Sequence, residues 1–421
     1  MIERFSKILQ TKTFSQSILA ISATILSGLL GVLFFILVAR ILTPASFGLF
    51  SIAVITLTAV ADIGDLGTST GLIRFGGRAL PQNPAAALKF LKLGLEVKLL
   101  VWLVILGIGW VLTPTIASSI FLKPDLIPPL RLAFLGVGGA LLFSFISHSL
   151  QAYQKYKIWQ FILVGSNLLR LLILGGFAVL VGLNVQNSLL IYIAIPFVAF
   201  LVGLKFLPNF LSAKKEWSIA RKFFAYNKWI AALSAITALS SRLDTFLSTR
   251  FLSINEVGIY SVAVQLTSFM PQIFFAIATV AAPKLAGFGN NSEAKLYLRK
   301  LQLLTLALAG FGLILLPIGY LLIPLIYGSV YQQAAMLFVI LYISQLIFLL
   351  ALPFSQAIFY YFSKPQVFVP IVLAQLLIII IGGFILINLL GIMGVALAVL
   401  LGNIFLFSAV AFWVIKEFRK K

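Results

Sequence analysis

The chain has 421 residues, of which 62% are apolar and only 10% charged, with a formal net charge of +21. So little charge excludes a soluble globular protein of this length, which must cover its surface with polar groups. The absence of cysteine excludes disulfides, thiol chemistry and iron–sulfur clusters, and with one histidine there is neither an HExxH motif nor a Cys/His cluster to hold a metal.

Apolar stretches of about 20 residues, each long enough to cross a bilayer core, recur from end to end. The first, Ser17–Val38, follows Arg4, Lys7 and Lys12 as a signal peptide would. It runs past the usual apolar region of such a peptide and lacks a small-residue cleavage site, so a retained first helix is expected. The predicted spans are 15–39, 47–72, 95–121, 128–151, 158–183, 188–206, 229–251, 256–282, 301–327, 333–361, 366–388 and 392–415. The expectation is therefore an all-α integral membrane protein with about 12 transmembrane helices.

With the N-terminus inside, 25 of the 31 Lys and Arg residues fall on the cytoplasmic side, including Arg74, Arg78, Lys89, Lys92 and Lys98 between spans 2 and 3. The positive-inside rule then orients the chain with both termini in the cytoplasm. The basic surplus is a topology signal and an attraction to anionic lipid headgroups. It is not a nucleic-acid footprint, because no basic soluble domain carries it. External connections are only a few residues long. Residues 207–228, which mix Lys and Arg with Trp217, Phe223, Phe224 and Tyr226, read as an interfacial amphipathic helix. The predicted organisation is an N-terminal lobe over 1–206, this basic connection over 207–228, and a C-terminal lobe over 229–421.

The two lobes repeat each other at an offset of 210 residues. ARILTPASFGLFSIAV (39–54) lies over TRFLSINEVGIYSVAV (249–264), matching Arg40 with Arg250, Gly48 with Gly258, Ser51 with Ser261 and Phe50 with Tyr260. The register continues through Arg74 on Lys284, Gly109 on Gly319, Trp110 on Tyr320 and Pro114 on Pro324, then slips to 205, putting Arg170 on Gln375. Six spans per lobe make this a parallel repeat, for which substrate is expected between the halves.

Polar groups within such spans are costly and turn toward a cavity or another helix. In span 2, Ser51, Thr58, Asp62, Asp65 and Ser69 share one face, as do Ser261, Gln265, Ser268, Gln272 and Thr279 in span 8. Span 7 carries Ser234, Thr237, Ser241, Asp244 and Ser248, and span 1 carries Thr24 and Ser27. Spans 1, 2, 7 and 8 are expected to wall a central cavity, the alternative for the hydroxyls and for the Gly67–Gly71 pair being close helix packing. Arg170, Arg242, Gln265, Gln272 and Ser241 are the candidate substrate-binding residues. Asp62, Asp65 and Asp244 are the candidate coupling-ion residues. Arg40 and Arg250 read as interface anchors, and His148 as a polar end-group with a proton relay as the alternative. Gly136-x-Gly138-Gly139 lies within span 4, where it serves packing and not a dinucleotide loop. No catalytic residue, metal site or cofactor is expected.

The segment VARILTPASFGLFSIAVITLTAVADIGDLGTSTGLIRF (38–75) resembles the opening signature of the polysaccharide-biosynthesis flippases, the Wzx-like branch of the multidrug/oligosaccharidyl-lipid/polysaccharide exporter superfamily. RLDTFLSTRFLSINEVGIYSVA (242–263) and Pro283-Lys284 are similar to the same family. The resemblance implies two six-helix lobes around a central cavity and a non-enzymatic flippase of the cytoplasmic (inner) membrane. Its cargo would be polyprenyl-pyrophosphate-linked oligosaccharide units for O-antigen or exopolysaccharide, with a proton or sodium as coupling ion and polysaccharide polymerase and chain-length proteins as candidate partners. On that reading Arg170 and Arg242 hold pyrophosphate or acidic sugars, since Arg matches phosphate oxygens bidentately. The alternative is a cation-coupled multidrug or metabolite exporter of the same fold.

Overall fold

The computed structural model describes residues 12–268 and 270–420, without the side chains at 12–18, 272, 273, 275, 276, 279, 280 and 283. Among the described residues there is no strand. The long helices are α1 Lys12–Ile41, α2 Pro44–Gly64, α3 Pro84–Thr115, α4 Ile127–Ala152, α5 Tyr156–Leu180, α6 Val185–Leu204 and α7 Trp217–Ser240. They continue with α8 Leu243–Phe251, α9 Ile254–Thr267, α10 Met270–Gly287, α11 Asn291–Tyr327, α12 Gln332–Gln356, α13 Pro365–Leu390 and α14 Ile392–Lys420. Ten stretches are long and apolar enough to cross a membrane, eleven when α7 and α8 form one broken span. The pair α9 and α10 covers the place predicted for the eighth span, which brings the chain to about twelve transmembrane helices.

Local chemistry sets the boundaries. Thr43 caps α2 by accepting from the Ser46 amide, with Pro44 in the first turn. Asn83 does the same for α3 ahead of Pro84. Ser253 and Glu256 form a reciprocal capping box at α9, and Asn184 with Asn187 another at α6. The Asn83-Pro84 start makes α3 some three turns longer than the predicted span 95–121, so Lys89, Lys92 and Lys98 belong to a helix and not to a connection.

The chain divides into two compact units, Met1–Arg242 and Leu243–Lys421. In the first, α2 and α4 are the interior helices, with 67% and 61% of their apolar windows buried against 11–17% for α1, α3 and α5. Leu72, Leu91, Phe145, Ile146 and Leu150 form its core. The peripheral helices present Leu103, Val111, Phe161 and Leu172 outward, as a lipid-facing surface requires. Gly138 lets Trp102 of α3 close on α4, where a Cβ would stand 2.1 Å from the indole, so the Gly136–Gly139 run does pack helices. The chain boundary after Arg242 puts α7 with the first unit. Residues 217–228 are the first turns of α7 instead of a separate interfacial helix, with Phe223 wholly buried against Phe75 and Phe90.

In the second unit α12 is the interior helix, packed against α9, α11 and α14. The core is built from Ala357, Ile358, Leu406, Val410 and Val414. The repeat is visible as equivalent contacts within each unit. A Cβ on Gly109 would stand 2.5 Å from Phe134, and one on Gly319 would stand 2.5 Å from Phe338. Phe50 and Tyr260 are each 0% exposed, and Thr43 and Ser253 cap corresponding helices.

The basic connections gather at one end of each unit. In the first, Lys89 pairs with Glu216 at 2.7 Å, Lys92 donates to the Ala213 carbonyl and Lys155 to the Phe206 carbonyl. Glu216 sits below its usual range, first because Lys89 donates to it, then through Ser218. In the second, Lys364 pairs with Glu417 at 2.7 Å and Lys295 stacks over Phe418.

Candidate functional site

The predicted second span does not run unbroken to residue 72. α2 ends at Gly64, and the chain turns through Leu66 (φ 48°) and Gly67 (φ 71°) before a short helical stretch resumes at Thr68. Gly67 is required twice: its φ is left-handed, and a Cβ there would stand 2.8 Å from Ile230 of α7. Gly71 faces Asn227 and Phe223 of the same helix, so the Gly67–Gly71 pair is a packing face for α7. Leu72–Gly76 then forms a π-helical turn, a deformation that recurs at functional positions.

The two carboxylates that precede the break have different partners. Asp62 accepts from Arg242 Nη2 at 2.7 Å. Arg242 also donates to the Ala238 carbonyl and to Ser241 Oγ, at 3.2 and 3.3 Å. The Asp62 side chain is 56% exposed, so this pair is reachable by solvent. Asp65 turns inward to Lys98 of α3, whose side chain is 0% exposed. Counting Lys98 among the cytoplasmic connections is thus corrected: it lies some four turns inside α3 and is neutralised there.

Arg170 lines a cavity of about 230 Å³ between α2, α4, α5 and α6 of the first unit, together with Thr58, Phe143, Ser166, Asn167 and Tyr192. Its guanidinium lies 4.4 Å from the Tyr192 ring centroid and 5.7 Å from that of Phe34. Nη1 donates to Asn167 Oδ1 at 3.2 Å, and Asn167 is itself held by Ser27 Oγ of α1 at 2.8 Å. Among the described residues no carboxylate pairs with Arg170, and its buried Nε has no hydrogen-bond partner. A cation whose buried donor is unused is costly in an apolar interior and is a place where an anion gains strongly.

The remaining candidates scatter. Asp244 accepts from the hydroxyl of Tyr260 at 2.7 Å, within the second unit. Ser241 is exposed at the end of α7 and Gln265 half-buried in α9, while the side chain of Gln272 lies outside the described residues. Thr24, Ser248, Ser261 and Ser268 bond to carbonyls of their own helices, which satisfies them without any cavity. Of the striped hydroxyls, Thr58 reaches the Arg170 cavity.

Four residues of the first unit's polar interior escaped the sequence pattern: Lys98, Ser144, Asn167 and Tyr192. For Lys98 a signal existed, since Asn83-Pro84 marks the helix start and puts residue 98 deep inside. For the others, single polar residues in apolar spans carry no periodic mark.

A family model described as polysaccharide biosynthesis protein matches residues 15–288. No curated protein sequence gives a significant match. Among solved structures, the chain is similar to an inward-facing multidrug resistance MATE family transporter of the MOP superfamily, with a TM-score of 0.76, 14% identity, and 94% of this chain and 95% of that chain covered. It is also similar to the lipid II flippase MurJ in its inward closed conformation, with a TM-score of 0.73, 16% identity, and coverage of 96% and 89%. The Vibrio cholerae MATE transporter VcmN, solved as a point mutant, aligns with a TM-score of 0.63, 16% identity, and coverage of 97% and 98%. At these identities the likeness establishes the fold.

Proposed function

The chain belongs to the polysaccharide biosynthesis protein family, and from that premise we propose that it is a flippase for polyprenyl-pyrophosphate-linked oligosaccharide units, working by alternating access. It would act in the cytoplasmic membrane with both termini inside, exporting repeat units for O-antigen or exopolysaccharide, with polysaccharide polymerase and chain-length proteins downstream. The gathering of basic connections at one end of each unit supports that orientation. A hydrated path spares the sugar hydroxyls a cost of roughly several kcal/mol for each polar group left unpaired in hydrocarbon.

One observation carries the reading: a half-buried, acid-free arginine with an unused, buried Nε donor faces a small cavity inside the first unit. A volume of about 230 Å³ is below the ~300–1,000 Å³ of pockets that swallow a drug-sized ligand. It suits one phosphate or one acidic sugar, held by Arg170 with Asn167, while the rest of the cargo lies elsewhere. Arg242, Ser241, Gln265 and Gln272 remain substrate candidates, and Asp62, Asp65 and Asp244 coupling-ion candidates. The cation-coupled drug exporter is the weaker reading, because the lining of this cavity carries no carboxylate to attract a cation.

The test is complementation of a deletion strain. Arg170→Ala at normal membrane abundance lowers surface glycan at least tenfold, and Arg170→Lys recovers part of it. Undiminished export by Arg170→Ala, Arg242→Ala and Asp62→Asn alike overturns the assignment. Selective accumulation of cationic dyes in the deletion strain, with normal glycan, favours the drug exporter.

A further inference from the structure

Apart from the Arg170 cavity, the first unit encloses a second polar cluster that the substrate reading does not use. We propose that Asp65, Lys98, Ser144 and His148 form a proton-binding site whose loading acts on the helix break at Leu66–Gly67. This deepens the transport reading by naming the proton as coupling ion, and it rests on that reading only for the link to transport.

The geometry begins with Lys98, whose ammonium is fully buried and bonded to Asp65, with Ser69 Oγ at 3.2 Å and Ser144 Oγ at 3.4 Å as further acceptors. Ser69 Oγ and Ser144 Oγ lie 2.8 Å apart. His148 Nδ1 stands 2.7 Å from the Ser144 carbonyl and 3.2 Å from Ser144 Oγ. A carbonyl oxygen only accepts, so Nδ1 carries the hydrogen and the imidazole lone pair is at Nε2. A continuous chain thus runs from His148 through Ser144 to Lys98 and Asp65.

The charge balance is simple. With His148 neutral, the carboxylate and ammonium sum to zero. Uptake of a proton at Nε2 forms one N–H bond and leaves a net charge of +1, two cations sharing one carboxylate. In a poorly solvated interior the added charge competes for that carboxylate. Asp65 is also the residue that restarts the helix after the break, accepting from the Ser69 amide at 3.1 Å and from Ser69 Oγ at 2.5 Å. Any change in its partners is therefore felt at Leu66–Gly67.

No other charged group faces the cluster among the described contacts. From α3, Lys92 is turned to the Ala213 carbonyl and Glu96 to Lys215. From α5, Trp159 donates to Ser147, and Arg170 faces its own cavity. α6 contains no acidic, basic or histidine residue, Asp62 of α2 is taken by Arg242, and Arg74 beyond the break lies over the Tyr226 ring at 4.0 Å.

His148 is the chain's single histidine, so nitrogen-15 histidine labelling of the full chain in nanodiscs reads one imidazole. We expect His148 to titrate, with a midpoint displaced by about one pH unit or more in Asp65→Asn or Lys98→Met. The double variant Asp65→Asn/Lys98→Met removes both charges with no net change, so its readout is the pH dependence of export, which keeps the proposal testable should a single variant fail to fold. An imidazole that never titrates, or midpoints in Asp65→Asn and Lys98→Met that are both identical to the wild type's, overturns the site. In the deletion strain, the double variant should also lose the dependence of surface-glycan export on external pH. Absence of export by the wild type, with His148 still titrating, sinks the flippase reading alone. Normal export with unchanged pH dependence in the double variant sinks the proton site alone.

Discussion

Replacing Asp65 by Asn is the sharpest structural perturbation available in the first unit. Lys98 is 0% exposed and Asp65 20% exposed, so the ammonium cannot recover hydration when its partner is neutralised. Removing one partner of a buried pair costs about 3–5 kcal/mol, because the other charge is left uncompensated. Lys98→Met should cost less, about 1–3 kcal/mol, since the carboxylate keeps the Ser69 amide and hydroxyl and the Thr68 hydroxyl as donors. The double variant leaves no net charge and should lie nearer the wild type than Asp65→Asn does. The absence of cysteine makes thiol-reactive dyes silent, so the melt is followed by tryptophan fluorescence and by monodispersity after heating in detergent. Unfolding of such proteins is commonly irreversible, and the ranking at a fixed heating rate is the quantity to compare. A wild-type melting curve for Asp65→Asn, or a double variant less stable than either single one, refutes the reasoning.

Gly109→Ala and Gly319→Ala should each destabilise by about 1–3 kcal/mol through overpacking, because each new Cβ would meet a phenylalanine ring at 2.5 Å; equal melting losses at the two sites are expected, and an unchanged melt at either refutes the shared contact. Arg242→Ala should alter stability by no more than about 1 kcal/mol, the Asp62 partner being 56% exposed, so a loss of glycan export in that variant at normal abundance reports function and not folding. Glu216 is held below its ordinary value by Lys89, so its contribution is present above the unfolded glutamate value, about 4.3, and is lost as pH falls through the lower folded value. Hydrogen exchange over residues 210–216 should therefore be flat from pH 8 to 5 after correction for intrinsic rates and rise only in more acidic buffer, and Lys89→Ala should remove that rise.

The large features were legible because they are repeated many times over. Runs of about 20 apolar residues and the spacing of Lys and Arg need no tertiary information. The duplication was readable because Gly109 and Gly319 cannot change without a clash, so the pattern survives in the sequence. The breaks were not legible. Nothing periodic distinguishes Asp65 from Asp62, yet Asp65, at the end of α2 next to the left-handed turn at Leu66–Gly67, pairs with Lys98, and Asp62, one turn earlier, pairs with Arg242. Helical facing put both on one stripe and failed where the helix stopped. The hydroxyl stripes misled for a related reason: Ser and Thr satisfy themselves on their own backbone, so a shared face does not imply water.

The repeat also shows where chemistry has departed from scaffold. At the shared offset, Phe34 and Phe50 of the first unit correspond to Asp244 and Tyr260 of the second. The first pair is a ring contact at 6.3 Å between centroids, the second a hydrogen bond of 2.7 Å. The contact is kept and its polarity exchanged. The residues corresponding to Asp65, Lys98 and Arg170 are Phe275, Leu308 and Gln375, so the charged cluster and the acid-free arginine belong to the first half alone. Gln375 spends its amide on Asn403 at 2.8 Å, whereas Arg170 keeps a donor unused. Packing demands hold both copies to one backbone, while a buried charge has to be supported by specific partners and persists only where it serves. Transplanting the second half's residues into the first, as Arg170→Gln, should therefore leave the melt within about 1 kcal/mol of wild type and still abolish export; export retained by that variant would show that the asymmetry is incidental.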